Sequence, residues 1–403
     1  MGGKIGLELL KKLTDQKDLS MAYTPGVSKI CEAIAGDENL AYSLTAKGNL
    51  VAVITDGTAV LGLGNIGPGP SIPVMEGKAV LFKAFAGVDG WPVPLEGVLG
   101  PDGRTDIEKF IDTTVKIAGM YGGINLEDIA APACFEIEDR LDEMLDIPVF
   151  HDDQWGTAII TLAALKNYSK LSGKKAGDLS VVINGAGAAG LRIAEMIKTD
   201  GVRDCILCDS KGVLSKNRED LNKYKRPHAI DTAKRTLADA MAGADVFIGV
   251  SVAGCVRPEM VLSMSDYPAI FAMANPVPEI MPQDVAECMK GRKYVLATGR
   301  SDFPNQINNV LGFPFIFRGA LDVRAKKITM GMKIAAAEAL AALARESYIP
   351  EEVKTAYGRN FEFAPDYLIP TPFDPRIKEW ESKAVAEAAI KEGVAGLKEI
   401  PTY

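Results

Sequence analysis

Two pairs of adjacent carboxylates are the clearest candidates for binding a cation. Glu127 and Asp128 follow one short apolar run, and Asp152 and Asp153 follow another. Both pairs lie where a strand is predicted to end, and ligands of α/β proteins gather beyond the carboxyl ends of parallel strands. If the two strands are neighbours, four converging carboxylates would repel one another unless a cation lay among them, and such oxygen ligands suit Mg²⁺ or Mn²⁺. Alternatively, Asp153 caps the next helix and the first pair forms a solvated turn.

Lys78 is the residue that could act as a base. A helix is predicted over residues 73–85, and Lys78 occupies a gap in its apolar stripe, whereas Lys83 points away from that stripe. The stripe consists of Val74, Met75, Leu81, Phe82 and Phe85. Burial would disfavour the ammonium form and lower the pKa of Lys78, which would make it a usable base. The alternative is a side chain that snorkels along the edge of the helix.

A glycine-rich turn indicates a dinucleotide site. Gly185, Gly187 and Gly190 have GxGxxG spacing, with an apolar β-rich run before them and a helical pattern after them, which is the context that the motif requires. The first glycine permits a tight turn, the second lets the backbone approach a pyrophosphate, and the third allows close packing of helix on strand. A turn that serves helix packing alone is the alternative.

Asp209 bears on the choice of cofactor. It ends the next predicted strand, about twenty residues after the glycine turn, where a carboxylate can accept a hydrogen bond from the ribose 2′-hydroxyl. This position favours NAD over NADP, because the carboxylate would repel a 2′-phosphate. Lys211 and Arg218 lie nearby in sequence and leave NADP open.

The elements that must position these residues alternate between apolar runs and helical patterns, as in α/β proteins. Three local features are predicted in the first part of the chain. They are a helix over residues 4–14, a hairpin at Asp56-Gly57, and a capping box formed by Thr105 and Glu108.

A helix and a polar linker near residues 155–178 separate two units. We predict an N-terminal α/β catalytic domain over residues 1–160 and a Rossmann-type dinucleotide-binding domain with C-terminal helices over residues 161–403.

Charge and composition exclude several classes of protein. The formal net charge of −8 gives no basic footprint for nucleic acid, and no uncharged apolar run reaches the length of a membrane span. The N-terminus lacks the apolar core of a secretory signal, and six scattered cysteines fit reduced thiols. Cys205 and Cys208 have CxxC spacing, but on a strand their side chains point oppositely. We therefore expect a cytoplasmic protein that binds neither nucleic acid nor membrane.

The order and spacing of eight motifs, which extend over nearly the whole chain, resemble the malic enzyme family in its short bacterial and archaeal form. The motifs are AYTPGV, TDGTAVLGLGNIGP, EGKAVLFKAFAGV, NLED, FHDD followed after two residues by GTA, GAGAAG, ANPVPE and DFPNQINNVLGFPFIFRGALD. The resemblance implies oxidative decarboxylation of L-malate to pyruvate and CO₂, with NAD (or NADP) and Mg²⁺ or Mn²⁺. It also implies a homodimer or a larger homo-oligomer.

The resemblance assigns roles residue by residue. Tyr23 is similar to the family's general acid, Lys78 to its base, and Asp152 to the partner that holds Lys78. The remaining roles concern bound groups. They are Glu127, Asp128 and Asp153 for the metal; Gly185, Gly187, Ala188, Ala189, Gly190, Asp209 and Asn275 for the cofactor; and Lys78, Asn275 and Asn308 for the substrate, with Asn309 in support.

Two residues depart from the family pattern. Ala59 stands where longer members carry an arginine that helps to bind malate, and Trp155 stands where short members often carry histidine. Three other functions stay open on the sequence. They are a lyase that decarboxylates malate or oxaloacetate without net redox, a dehydrogenase of another hydroxy or amino acid, and a non-catalytic dinucleotide sensor.

Overall fold

The computed structural model describes residues 2–60 and 62–401, in which two β-sheets are surrounded by helices. The strands of the first sheet are β1 Leu50–Thr55, β2 Asp89–Pro94, β3 Gly123–Leu126 and β4 Val149–His151. Those of the second are β5 Ser180–Asn184, β6 Asp204–Asp209, β7 Gly212–Val213, β8 Val246–Gly249, β9 Ala269–Ala272 and β10 Val295–Thr298.

Helices of the first part of the chain are α1 Gln16–Ala22, α2 Val27–Gly36, α3 Ala41–Leu44, α4 Pro68–Leu81, α5 Ile107–Ile117, α6 Ala133–Met144 and α7 Asp152–Ser172. A π-helical turn, Phe82–Ala86, extends α4. The later helices are α8 Ala188–Thr199, α9 Leu237–Met241, α10 Pro258–Leu262, α11 Pro282–Cys288, α12 Phe313–Asp322, α13 Met330–Ala344, α14 Glu351–Tyr357 and α15 Arg376–Lys391. Of the described helices, none is both long and apolar enough to cross a membrane.

The first sheet has the order β2-β1-β3-β4, and all its strands run parallel. The predicted hairpin at Asp56-Gly57 is therefore wrong, because β1 is a central strand that pairs in parallel on both sides. Gly57 instead turns the chain into a loop with φ of 68°. A Cβ at this glycine would lie 2.1 Å from the carbonyl oxygen of Gly67, so the loop folds closely back on itself.

The second sheet has the order β10-β9-β8-β5-β6-β7, with every pair parallel except β6 and β7. The glycine turn joins β5 to α8 at the centre of this sheet. These features confirm the predicted α/β class, with a Rossmann-type unit that follows the first sheet and is itself followed by helices. The helix α7 leads from the first sheet to the second, and the boundary at residues 160–161 stays a prediction.

Two other local predictions are wrong. Residues 4–14 form no helix, and Leu7, Leu9 and Leu10 are exposed. An isolated segment of this length is marginal as a helix unless its apolar face is covered, and glycine at position 6 weakens it further. At α5 the cap is Asp106, which accepts a hydrogen bond from Lys109 N at 3.2 Å.

The predicted capping box fails because its two members have partners elsewhere. Thr105 donates to Asp56 Oδ2 at 2.5 Å, and Glu108 accepts two bonds from Arg140 at 2.5 and 2.9 Å.

All six cysteines lie in the described part of the chain and each is unpaired. Cys205 packs in one hydrophobic cluster and Cys208 in another, on opposite faces of the second sheet. This confirms that the CxxC spacing brings no pair of thiols together.

Candidate active site

The two carboxylate pairs converge at one edge of the first sheet. Strands β3 and β4 are parallel neighbours, with Leu126 opposite His151, so the residues that follow them emerge side by side. Carboxylate oxygens of Glu127, Asp128 and Asp153 all lie within 4.8 Å of one another. The backbone N–H of Asp128 donates to Asp153 Oδ2 at 2.8 Å, which ties the end of β3 to the start of α7.

This carboxylate cluster fits a hard divalent cation. Glu127 and Asp128 are buried, whereas the Asp153 side chain is 36% exposed and leaves the cluster open on one side. Burial raises the pKa of Glu127 well above its usual range, and the charges of neighbouring carboxylates raise it further against the opposing effect of Lys78. A cation would relieve this repulsion, and three carboxylate oxygens are ligands that Mg²⁺ or Mn²⁺ accepts.

Lys78 lies directly against this cluster. It is buried on α4, as its place in the apolar stripe predicted, and its Nζ lies 2.5 Å from Asp152 Oδ2 and 3.1 Å from Glu127 Oε1. The ammonium also lies 4.4 Å from the centre of the Phe313 ring. Burial by itself lowers the pKa of Lys78, but the negative charges of Asp152 and Glu127 outweigh it and raise the pKa. The predicted lowering is therefore wrong among these groups, because periodicity revealed the burial of Lys78 and not its partners.

Asp152 holds the amine in place. Its Oδ2 accepts hydrogen bonds from Lys78 and from the side-chain amide of Asn309, and its Oδ1 has no hydrogen-bond partner among the described residues. Gly156 lies one turn further along α7, and a Cβ there would lie 2.0 Å from Asp152 Oδ1. Only glycine at this position therefore leaves room for the carboxylate. Asn308 does not contact Asp152 in this way. Its side-chain oxygen accepts a hydrogen bond from Val310 N at 3.0 Å and caps the short helical turn at residues 309–311.

His151, between β4 and α7, is completely buried, and neither ring nitrogen has a hydrogen-bond partner among the described residues. Burial lowers the pKa of His151 to about 4. The ring is therefore neutral near pH 7.

The structure shows which contacts the tryptophan at position 155 makes, which the sequence alone did not indicate. Its indole N–H donates to Glu138 Oε2 at 3.1 Å, and the other oxygen of Glu138 accepts His151 N at 3.0 Å. Lys333 Nζ lies 3.5 Å from the centre of the Trp155 ring, and Arg192 Nη2 lies 3.7 Å from Glu138 Oε2. This buried polar cluster joins α6, α7, α8 and α13 beneath the carboxylate cluster.

Sequence reasoning missed Glu138, although a carboxylate between the apolar residues Ile137 and Leu141 of α6 was an available signal.

Tyr23 is not brought into the buried cluster. It follows α1, the residue is 69% exposed, and no described hydrogen bond or ring contact joins it to Lys78. Neither α1 nor α2 buries a residue. Ala59 contacts the carboxylate cluster through its backbone, because its N–H donates to the carbonyl oxygen of Asp128 at 2.9 Å.

The glycine turn opens a second site at the carboxyl edge of the second sheet. A cavity of about 760 Å³ lies there. A Cβ at Gly190 would lie 1.8 Å from the carbonyl oxygen of Gly185, whereas a Cβ at Gly187 would meet nothing within 4 Å. Close packing therefore requires glycine at position 190, and open space for a ligand lies at position 187. Ala188 and Ala189 lie in the first turn of α8. Asn275 follows β9 and lies close to Gly299, where an added Cβ would be 3.0 Å from the amide nitrogen of Asn275.

Asp209 lies at the rim of this cavity, but its carboxylate already has partners. Arg218 donates to both oxygens, at 2.8 and 3.0 Å, and Lys225 donates to Oδ2 at 2.8 Å. Burial raises the pKa of Asp209, but these hydrogen bonds outweigh it and hold the pKa at about 2. Lys225 lies 16 residues from Asp209 in the sequence, so no local sequence pattern predicted their contact.

Comparisons with known proteins agree with this arrangement. The family model "Malic enzyme, N-terminal domain" matches residues 3–142, and "Malic enzyme, NAD binding domain" matches residues 155–354. The chain is 52% identical to an NADP-dependent malic enzyme of Rhizobium meliloti, over 98% of this chain and 51% of that protein. It is also 52% identical to a bifunctional malic/malolactic enzyme of Bacillus subtilis, over 98% of this chain and 91% of that protein.

A crystal structure of malic enzyme from Pyrococcus horikoshii has the same fold, with a TM-score of 0.88 and 42% identity over 98% of this chain and 89% of that one. The chain spans about half the length of some relatives, including the Rhizobium protein, and nearly all of others. Two family models and relatives above 50% identity thus cover both sheets and both sites. The chain belongs to the malic enzyme family.

Proposed function

We propose that this protein oxidatively decarboxylates L-malate to pyruvate and CO₂, with reduction of NAD or NADP and with a divalent metal ion. The observation that carries the proposal is the buried contact of Lys78 with Asp152 and Glu127, beside the cluster of Glu127, Asp128 and Asp153. A basic side chain, a cluster of oxygen ligands and a dinucleotide fold are the parts that this reaction needs.

The carboxylate cluster would hold Mg²⁺ or Mn²⁺. Bound there, the ion would supply Lewis-acid polarisation of the substrate oxygen on C2. Asp153 is the most exposed of the three ligands, so substrate would approach from its side.

A cation in the carboxylate cluster would offset the negative charges of Asp152 and Glu127 that raise the pKa of Lys78. The neutral amine would then take the proton of the C2 hydroxyl as hydride passes to the nicotinamide. Because Asp152 and Asn309 together fix the amine, Lys78 would meet the hydroxyl in one orientation. The resulting 2-keto acid carries a carboxylate β to its carbonyl, and loss of CO₂ from it leaves an enolate, whose oxygen would take back the proton held by Lys78 to give the enol. Tyr23 would protonate the enol carbon to give pyruvate.

Tyr23 could meet this site if a second copy of the chain supplied it. Its exposure, and that of neighbouring apolar side chains, supports a homodimer in which the N-terminal segment contacts the partner. The exposed apolar residues there include Leu7, Leu9, Leu10, Leu13, Leu19 and Met21. We retain a cytoplasmic location as a proposal on the six unpaired cysteines.

The proposal is tested by incubating the purified protein with L-malate, Mn²⁺ and either NAD or NADP. We expect reduced cofactor, pyruvate and CO₂ in equal amounts. Decarboxylation without reduced cofactor would favour the lyase, and reduced cofactor without CO₂ would favour another dehydrogenase. Omitting Mn²⁺ and adding a chelator should abolish the reaction.

A further inference from the structure

The carboxylate of Asp209 has no acceptor position left for a ribose hydroxyl. It accepts four hydrogen bonds: two from Arg218, one from Lys225, and one from Lys211 N at 3.0 Å. A carboxylate offers about four lone-pair sites in all. An aspartate at this position usually selects NAD by binding the ribose hydroxyls and repelling a phosphate, and here both effects are weakened.

The surroundings of Asp209 carry an excess of positive charge. Lys211, Lys225 and Arg235 line the cavity at the end that holds Asp209, and Arg218, which is not among the lining residues, donates to Asp209. The carboxylates that balance these four cations are Asp209 and Asp220, of which Asp220 pairs with Arg218 and Lys211.

Arg235 is the cation with least compensation. Its guanidinium donates to the backbone carbonyl oxygens of Thr232 and Lys234, and no described carboxylate lies within ion-pair distance of it. Its charge is therefore available to an anion in the cavity.

We propose that this end of the cavity binds the 2′-phosphate of NADP, so that the protein binds NADP(H) more tightly than NAD(H). The inference rests on the proposed function, since it concerns the cofactor of that reaction. Lys225 and Arg235 contact the phosphate, and Arg218 neutralises Asp209 so that the carboxylate does not repel it. The ion pairs of Asp209 convert an NAD-type position into one that tolerates an anion.

The inference is tested by isothermal titration calorimetry of the full chain with 2′,5′-ADP and with 5′-AMP, which differ by the 2′-phosphate alone. We expect 2′,5′-ADP to bind at least tenfold more tightly, about the effect of one charge-assisted hydrogen bond. The difference should shrink as salt is added, because the added ions screen exposed charges. Equal affinities, or tighter binding of 5′-AMP, would overturn the inference.

Variants assign the effect to residues. Lys225→Gln and Arg235→Gln should each weaken 2′,5′-ADP binding roughly tenfold and leave 5′-AMP binding within about twofold. Lys216→Gln is the matched control, because this exposed lysine lies in the same region and does not line the cavity. Equal losses for both nucleotides would contradict a specific role in phosphate binding. Arg235→Gln replaces an exposed side chain, so it tests the inference even if Lys225→Gln folds poorly.

These titrations contain no malate, so the two proposals can fail separately. A protein that prefers 2′,5′-ADP but reduces no cofactor with malate would keep this inference and lose the proposed function. A protein that oxidises malate but shows no 2′-phosphate preference would lose this inference alone.

Discussion

Replacing Lys78 with methionine would remove a buried positive charge while keeping the length of the side chain. In the wild type, Nζ lies 2.5 Å from Asp152 Oδ2 and 3.1 Å from Glu127 Oε1, and both carboxylates are buried. The variant leaves these carboxylates without their cationic partner. Removing one member of a buried ion pair costs about 3–5 kcal/mol, because the remaining charge is desolvated without compensation.

That cost corresponds to a fall in Tm of roughly 6–20 °C for a folding unit of 150–250 residues. Differential scanning calorimetry would measure it without and with Mn²⁺. Because a bound cation would replace part of the missing charge, we expect Mn²⁺ to restore part of the Tm of Lys78→Met. If Lys78 is the base, kcat with Mn²⁺ present should fall by about 10²–10⁴.

Lys83→Met is the matched control on the same helical segment. Lys83 also forms an ion pair, with Asp89 at 2.7 Å, but both side chains are exposed, and such pairs contribute only about 0–1 kcal/mol. If Lys78→Met melted at the same temperature as Lys83→Met, the buried ion pair would not have the energetic role assigned to it. Near-wild-type turnover of Lys78→Met would remove Lys78 as the base.

Three further variants test other parts of the structure. Asp153→Asn removes one proposed ligand charge and should raise the Mn²⁺ concentration for half-maximal activity at least about tenfold; an unchanged titration would refute the ligand role. Gly190→Ala should lower the Tm, because its Cβ would lie 1.8 Å from Gly185 O, whereas Gly187→Ala should leave the Tm unchanged and weaken nucleotide binding. Burial lowers the pKa of Lys333 to about 8 from 10.5, so its buried charge costs stability below pH 8 and this cost disappears as the pH rises to 10.5. Lys333→Met should therefore raise the free energy of unfolding by about 1–3 kcal/mol at pH 7 and by less at pH 10.5 in urea titrations, and a pH-independent difference would contradict this.

Local sequence was sufficient for the features that depend on periodicity and spacing. The glycine turn, the burial of Lys78 and the position of both carboxylate pairs at strand ends follow from patterns of a few residues. Such patterns report which face of an element is buried and where it ends, and these properties are set largely within the element itself.

Contacts between distant segments were decided by tertiary structure alone. Strand β1 pairs in parallel on both sides instead of forming the predicted hairpin. Residues 4–14 form no helix, because their apolar side chains are not packed against another element. The charge environments were equally non-local. Asp152 lies 74 residues from Lys78 and raises its pKa, and Glu138 reaches Trp155 from a different helix.

The same distinction applies to the cofactor. The sequence placed a carboxylate at position 209, but only the fold brought Arg218 and Lys225 onto it. Residue type thus determined which chemistry was possible at each position. The tertiary structure determined the partners of each ionisable group, because electrostatic interactions depend on distance and burial and not on separation along the chain.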